Sequence, residues 1–314
     1  MDNNWKILTD KMQNGSVLAM SRLITNVENR EPGWLNAMQT IYSKIKRTPV
    51  VGITGSPGAG KSTLTNEITR VLAGMGLSVG VVAIDPSSPF TGGALLGDRL
   101  RMTDISTLEN VFVRSMATRG AMGGLSVAAR DVIKIIDAFG KDIILIETVG
   151  VGQDEVEVMR AADLVAVVCV PGQGDGIQAI KAGIMEIADI FVVNKADRDG
   201  ADQLAMDLET MQMLIPDKVY KEIPVLKTIS TTGKGVEDFV ETLFVKLKEI
   251  KQEKSRQKQR IREELVELVE REIGRFLMNE WDKDGSLEKG VNKILANEEN
   301  PYSIAQDMIS SFIK

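Results

Sequence analysis

Residues 49–62 read PVVGITGSPGAGKS. A short apolar run passes straight into Gly55-Ser56-Pro57-Gly58-Ala59-Gly60-Lys61-Ser62, which fits the pattern G-x-x-x-x-G-K-[ST]. This stretch restricts the fold more than any other in the chain. Its glycines let backbone N–H groups converge on phosphate oxygens, and the helix that follows must aim its positive end at the same point. It therefore needs a strand ahead, a helix behind and a sheet to hold both. Gly58, Ala59, Gly60, Lys61, Ser62 and Thr63 are the residues expected around the phosphates. Lys61 would reach the β- and γ-phosphates, and Ser62 would hold Mg²⁺.

Seven short apolar runs supply the sheet: VVGIT, VGVVAI, VFV, IILIE, LVAVVCV, IFVVN and IPVLKTI. Most do not alternate with polar residues, as expected of strands buried on both faces, and helical stretches separate them. The expected fold class is α/β, a mostly parallel central sheet flanked by helices. Ligands of such sheets sit beyond the C-terminal ends of the strands.

Several unusual polar residues fall at those ends. The run IILIE closes on Glu147, where a carboxylate can bind Mg²⁺ directly or through water. Gly150, three residues on, can place its backbone N–H beside the γ-phosphate. Asp85 ends the run VGVVAI, and Asp98 lies in the glycine-rich TGGALLGDR. With Ser62 these make three carboxylates and a hydroxyl for one hard cation. Mg²⁺ keeps several waters, so some of them are expected to bind in one nucleotide state only.

The run IFVVN leads into Asn194-Lys195-Ala196-Asp197. Asp197 can accept hydrogen bonds from guanine N1–H and the exocyclic amine. Adenine offers no such pair, and a mismatch of this kind discriminates by ~10⁴ or more. Lys195 can lie along the base, and Ser230 follows the last strand, where a backbone amide would meet the guanine O6. GTP and GDP with Mg²⁺ are the cofactors expected.

Composition excludes other chemistries. The 314 residues contain no histidine and one cysteine, Cys169, inside an apolar run. Histidine bases, histidine metal ligands and an intrachain disulfide are thereby ruled out. A net charge of -6 with no dominant basic block speaks against nucleic acid as a partner. The polar start MDNNWKILTDKMQNG lacks the form of a signal peptide, and no window reaches the ~18 apolar residues of a membrane span. No membrane partner and a cytoplasmic location are expected.

Three regions are expected along the chain. Residues 1–46 read as a helical N-terminal segment, with Val17, Met20, Ile24 and Val27 on one stripe and Leu35, Met38, Tyr42 and Ile45 on the next. Residues 47–250 carry the motifs. Residues 251–314 read as a helical extension that opens with the fully polar KQEKSRQKQR and bears the stripe Ile261, Leu265, Leu268 and Phe276. From residue 236 to 276 the chain can form one long helix or two.

Taken together, GSPGAGKST, AIDPSSPFTGGALLGDRLRM, RSMATRG, ETVGVGQ, VPGQGDGIQAIKAGIMEIAD and NKAD resemble the MeaB/ArgK/MMAA branch of the P-loop NTPases. Its members are GTPases that act as chaperones of adenosylcobalamin-dependent acyl-CoA mutases. The resemblance implies that Lys61 contacts phosphate and that Ser62, Asp85, Asp98 and Glu147 serve Mg²⁺. It implies a first switch over residues 85–102, a second around 149–155, and a further one with Asp175 and Lys181 as its working charges. It also implies a homodimer through the C-terminal extension, and methylmalonyl-CoA mutase as the usual client, with isobutyryl- and hydroxyisobutyryl-CoA mutases as other candidates. Where Ras-type GTPases carry a water-orienting glutamine, this chain has Val151, and Gln153 comes two residues later. Arg99, Arg101 and Arg119 have no assigned role. Slow unassisted hydrolysis is the expectation.

The alternative is a kinase linked to arginine/ornithine transport, but Asp197 argues for guanine over adenine and no acceptor-site motif stands out. A nickel-insertion GTPase would handle its metal with His and Cys, which this chain lacks. A nucleotide-binding interaction protein without turnover is the remaining class.

Overall fold

The computed structural model describes residues 3–85, 103–117, 124–148, 161–172, 188–213 and 223–312. The seven apolar runs form β1 (Val50–Gly55), β2 (Val79–Asp85), β3 (Val111–Ala117), β4 (Ile143–Thr148), β5 (Leu164–Cys169), β6 (Ile190–Asn194) and β7 (Val225–Thr228). They make one sheet in the order β3-β2-β4-β1-β5-β6-β7. Each strand pairing in it is parallel. Every residue of β1, β4, β5 and β6 is buried, which is why these runs carry no polar alternation.

Helices cover both faces. On one, Val51, Ile53 and Leu145 pack with Leu64, Ile68 and Leu72 of the helix Lys61–Gly74 and with Phe239 and Leu243 of the helix Val236–Gln252. On the other, Val82, Ile144 and Ile146 pack with Val132 and Ile136 of the helix Gly124–Phe139 and with Leu208 of the helix Ala201–Met213. Burying each large aliphatic side chain here contributes about 1.5–3 kcal/mol.

The N-terminal residues join this second core. They form three helices, Asn3–Gln13, Val17–Glu28 and Trp34–Tyr42, where sequence periodicity suggested a pair. The first escapes the pattern because its apolar residues that turn inward are just Trp5, Leu8 and Met12, with Thr9 buried beside them. The third buries Trp34, Ala37, Met38 and Ile41, while Tyr42 is 51% exposed. The true stripe is thus rotated by one residue, and Tyr42 instead lies under the Lys134 ammonium at 5.7 Å. Val17 is 49% exposed, since it opens its helix directly after the Ser16 cap. Polar contacts fix the segment in place. Arg30 pairs with Asp131 at 2.7 Å and stacks on Trp34, and Glu28 pairs with Arg114 of β3. Asp137 accepts from the Lys46 and Arg47 amides and from the Thr48 hydroxyl, which anchors the approach to β1.

The N-terminal edge of the sheet is fastened by three aspartates, each one residue ahead of a strand. Asp142 Oδ2 accepts from Ser78 N, Asp163 Oδ2 from Val50 N and Asp189 Oδ2 from Val165 N, at 2.8, 2.8 and 2.9 Å. Their own amides donate back to the carbonyls of the same three residues. These reciprocal pairs pin β4 to β2, β5 to β1 and β6 to β5 at the edge away from the phosphate loop.

The chain divides into two compact units, Met1–Gln252 and Glu253–Lys314. The second contains the helices Lys254–Asp284, Ser286–Leu295 and Pro301–Phe312. A break at Glu253 makes two helices of the stretch that the sequence left as one or two. Within the second unit Gly290 lets helices approach closely, since a Cβ there would lie 2.9 Å from Ile304 Cγ2. No helix among the described residues is long and apolar enough to cross a membrane.

Candidate functional site

β1 lies between β4 and β5, where the order of strands reverses, and its C-terminal end opens into the phosphate loop. The loop depends on its glycines. Gly55 has φ +141°, and a Cβ on it would meet the Val168 carbonyl oxygen of β5 at 2.1 Å. Gly60 has φ +87°, and a Cβ there would lie 2.6 Å from Asn194 Nδ2. Only glycine permits either approach. The helix starts at Lys61, directly after Gly60, so its first amides face the loop.

Lys61 is buried and folds back over the loop, donating to the Gly55 carbonyl at 2.7 Å and the Ser56 carbonyl at 3.1 Å. The next residue, Ser62, donates its hydroxyl to Glu147 Oε1. Strand alternation places Glu147 on the face of β4 that meets this helix, and the register sets it beside Ile53 of β1. Thr63, in the same first turn, is exposed.

A hydroxyl and a carboxylate in contact are hard oxygen donors of the type that Mg²⁺ takes, and they stand where a loop shaped for phosphates meets its helix. The donor set fits that cation. Cys169 does not compete as a soft ligand, because burial pushes its thiol up to about 12. Among the described residues no group of three His, Cys, Asp or Glu side chains stands together for a metal. Asp85 closes β2 on the same edge, with its side chain outside the described residues. Asp98, Gly150, Gln153, Asp175 and Lys181 lie outside them altogether, as do Arg99, Arg101, Arg119 and Val151.

The second half of the site follows β6. Asn194 is 1% exposed and reaches in two directions. Its Nδ2 donates to the Ala59 carbonyl at 2.8 Å. Its Oδ1 accepts from Thr228 Oγ1, Ser230 N and Ser230 Oγ at 3.1, 3.2 and 2.7 Å. Lys195 adopts φ +55° and donates to the Gly58 carbonyl at 2.8 Å. Asp197 follows in an exposed turn, its carboxylate presented to solvent. The asparagine thus joins the phosphate loop, the turn bearing Asp197 and the end of β7.

Ser230 follows β7, and both of its donors are directed at Asn194. Thr228 belongs to the same knot and was not singled out from sequence. Its signal was present, since a hydroxyl residue at the end of a strand near Asn194 is placed to donate to that amide.

A parallel sheet with this loop after β1 and Asn-Lys-Ala-Asp after β6 defines a P-loop GTPase. A family model described as "Methylmalonyl Co-A mutase-associated GTPase MeaB" matches residues 20–281, and the chain belongs to the MeaB family. A Pyrococcus horikoshii protein named as a GTPase is 45% identical, with 98% of both chains covered. A fused isobutyryl-CoA mutase of Geobacillus kaustophilus is 35% identical over 77% of this chain, and the match takes in 23% of that longer protein. Among solved structures, a crystal structure of a LAO/AO transport system kinase superposes with a TM-score of 0.71 at 25% identity, covering 100% of this chain and 98% of that one.

Proposed function

We propose that this chain is a GTP-binding and GTP-hydrolysing chaperone that gates cofactor loading into an adenosylcobalamin-dependent acyl-CoA mutase and protects that enzyme, with methylmalonyl-CoA mutase as the first client. The observation that carries this reading is the Geobacillus relative, which is named a fused isobutyryl-CoA mutase and matches this chain over 23% of its length. Fusion places the two functions at high effective concentration, an arrangement useful to partners that work together.

In this reading Asp197 accepts from guanine N1–H and the exocyclic amine, while Lys195 lies along the base. The phosphates are held by the backbone of residues 58–63 and by Lys61. Ser62 and Glu147 hold Mg²⁺, joined in one nucleotide state or another by Asp85 and Asp98. The cation supplies charge neutralisation at the β- and γ-phosphate oxygens. Gln153, Asp175 and Lys181 are the candidates for orienting the attacking water once a client has bound. GTP and GDP favour different conformations, and hydrolysis resets the cycle.

The helix Lys254–Asp284 leaves Ile261, Leu265, Leu268 and Phe276 exposed by 52%, 59%, 39% and 57%. Such a stripe calls for a partner, and a second copy of the chain is the one proposed. Leu265→Glu should then turn a dimer into a monomer in sedimentation, whereas a dimer that persists would remove this stripe from the interface.

The crystal structure named as a transport-system kinase keeps a phosphotransferase reading in view. The Asp197 turn favours GTP over ATP and weighs against it. The deciding experiment measures turnover of GTP and ATP by the protein alone and with methylmalonyl-CoA mutase. A GTP-specific rise of tenfold or more, about 1.4 kcal/mol off the barrier, is expected with the mutase. Preferred turnover of ATP would restore the kinase reading.

A further inference from the structure

β4 ends in a way that its core does not require. Residues 143–146 are Ile, Ile, Leu and Ile, and the strand then closes on Glu147 and Thr148. Alternation sends Glu147 toward Ser62 and Thr148 to the opposite face. There the Thr148 hydroxyl donates to the Thr54 hydroxyl of β1 at 3.2 Å. Thr54 is 0% exposed and Thr148 2%. Nearby strand residues in the core on this face are apolar, among them Ile84, Ile146 and Val167. Strand propensity accounts for a β-branched residue at either position but not for a hydroxyl at both, since valine fills nearly the same volume.

The pair falls at a particular point. The backbone register between β1 and β4 ends with Ile53 beside Glu147. The hydroxyl bond continues the connection between β1 and β4 one residue further, through side chains, while Thr54 still pairs with Val167 of β5 and Thr148 with Ile84 of β2. Thr54 precedes Gly55, whose carbonyl accepts from Lys61, and Thr148 follows Glu147, which accepts from Ser62. Each threonine is therefore one peptide unit from a member of the site.

We propose that Thr148 is a positioning residue. Its bond to Thr54 fixes the height of Glu147 over the phosphate loop and so sets how strongly Ser62 and Glu147 take Mg²⁺. The proposal rests on the reading of Glu147 as a Mg²⁺ residue.

The test uses the full chain and measures GDP affinity by calorimetry across a Mg²⁺ series and in EDTA. Thr148→Val should raise the Mg²⁺ concentration that gives half of the metal-linked gain in affinity by fivefold or more. Affinity in EDTA should stay within twofold. Thr148→Ser should restore the Mg²⁺ midpoint to within twofold of the parent. Thr54→Val should match Thr148→Val, and the double variant should be no worse than either, because both remove one bond. An unchanged midpoint overturns the proposal, as does an equal loss with and without Mg²⁺, which would mark general loosening. If Thr148→Val does not fold, Thr54→Val removes the same bond from the other strand and decides the matter. Glu147→Gln is measured alongside. Intact metal linkage in that variant defeats the reading of Glu147 itself, whereas lost linkage there with a silent Thr148→Val defeats only the positioning role.

Discussion

Asn194 Nδ2 donates to the carbonyl of Ala59 at 2.8 Å, across 135 positions of sequence. The element that would read the base is thereby built onto the element that would hold the phosphates. Asn194→Ala removes this bond and strands three donors on Thr228 and Ser230. The expected loss is about 3 kcal/mol of stability without nucleotide, since unsatisfied buried groups cost more than the bonds contribute. Urea unfolding measures it, and a loss below about 1 kcal/mol would show that the knot is dispensable.

Asp197 should behave differently. It is exposed in the nucleotide-free protein, so Asp197→Asn should leave the melting temperature unchanged. Guanine would lose its carboxylate partner, and GDP affinity should fall on the order of 10³-fold or more. The amide can donate to the 2-oxo group of xanthine, so XDP should bind the variant better than GDP does. Competition among GDP, XDP and ADP reads out both effects. Retained preference for GDP would remove Asp197 from base recognition.

Asp142, one of the strand-fastening aspartates, predicts an acid limb of the stability curve. Hydrogen bonds from the Ser78 hydroxyl and amide hold the Asp142 carboxyl below its ordinary range. A depressed folded-state value means that the stabilisation is fully present above the unfolded value, about 3.9, and is lost as pH falls through the folded one. Asp142 is exposed, so solvent screening limits its share to about 1 kcal/mol or less. Asp142→Asn should therefore be slightly less stable at pH 7, with the gap closing below about pH 4. A gap that stays constant between pH 7 and pH 3 would assign the effect to something other than ionisation.

Cys169 should be inert in the folded protein. It is 6% exposed, and its thiol, pushed up to about 12, carries almost no thiolate near neutrality. A thiol reagent at pH 8 should label it at the rate of unfolding, and urea should release the reaction. Prompt labelling of native protein would contradict the burial described for β5.

The sheet was legible because each buried parallel strand is written as an unbroken apolar run, and the loop because its glycines serve backbone geometry locally. Glu147 was legible too, as a charge at the end of such a run. Contacts between side chains and distant backbone were not. Nothing near Asp163 in sequence announces Val50 N, 113 positions away, as its partner. Ser230 could be placed after the last strand, but its bonds to Asn194 could not be read, because they depend on how closely β6 and β7 approach. The helix Asn3–Gln13 stayed hidden for a simpler reason, since three inward apolar residues among polar ones make a faint stripe.

The N-terminal helices also form a grip. Glu28 holds Arg114 on β3, and Arg30, two residues later, holds Asp131 on the helix Gly124–Phe139. Those two anchor points lie on either side of residues 118–123 in the chain. Tension applied to the N-terminal helices, as by a protein leaning on their outer surface, would therefore travel along two arms at once and converge on the ends of that one connection.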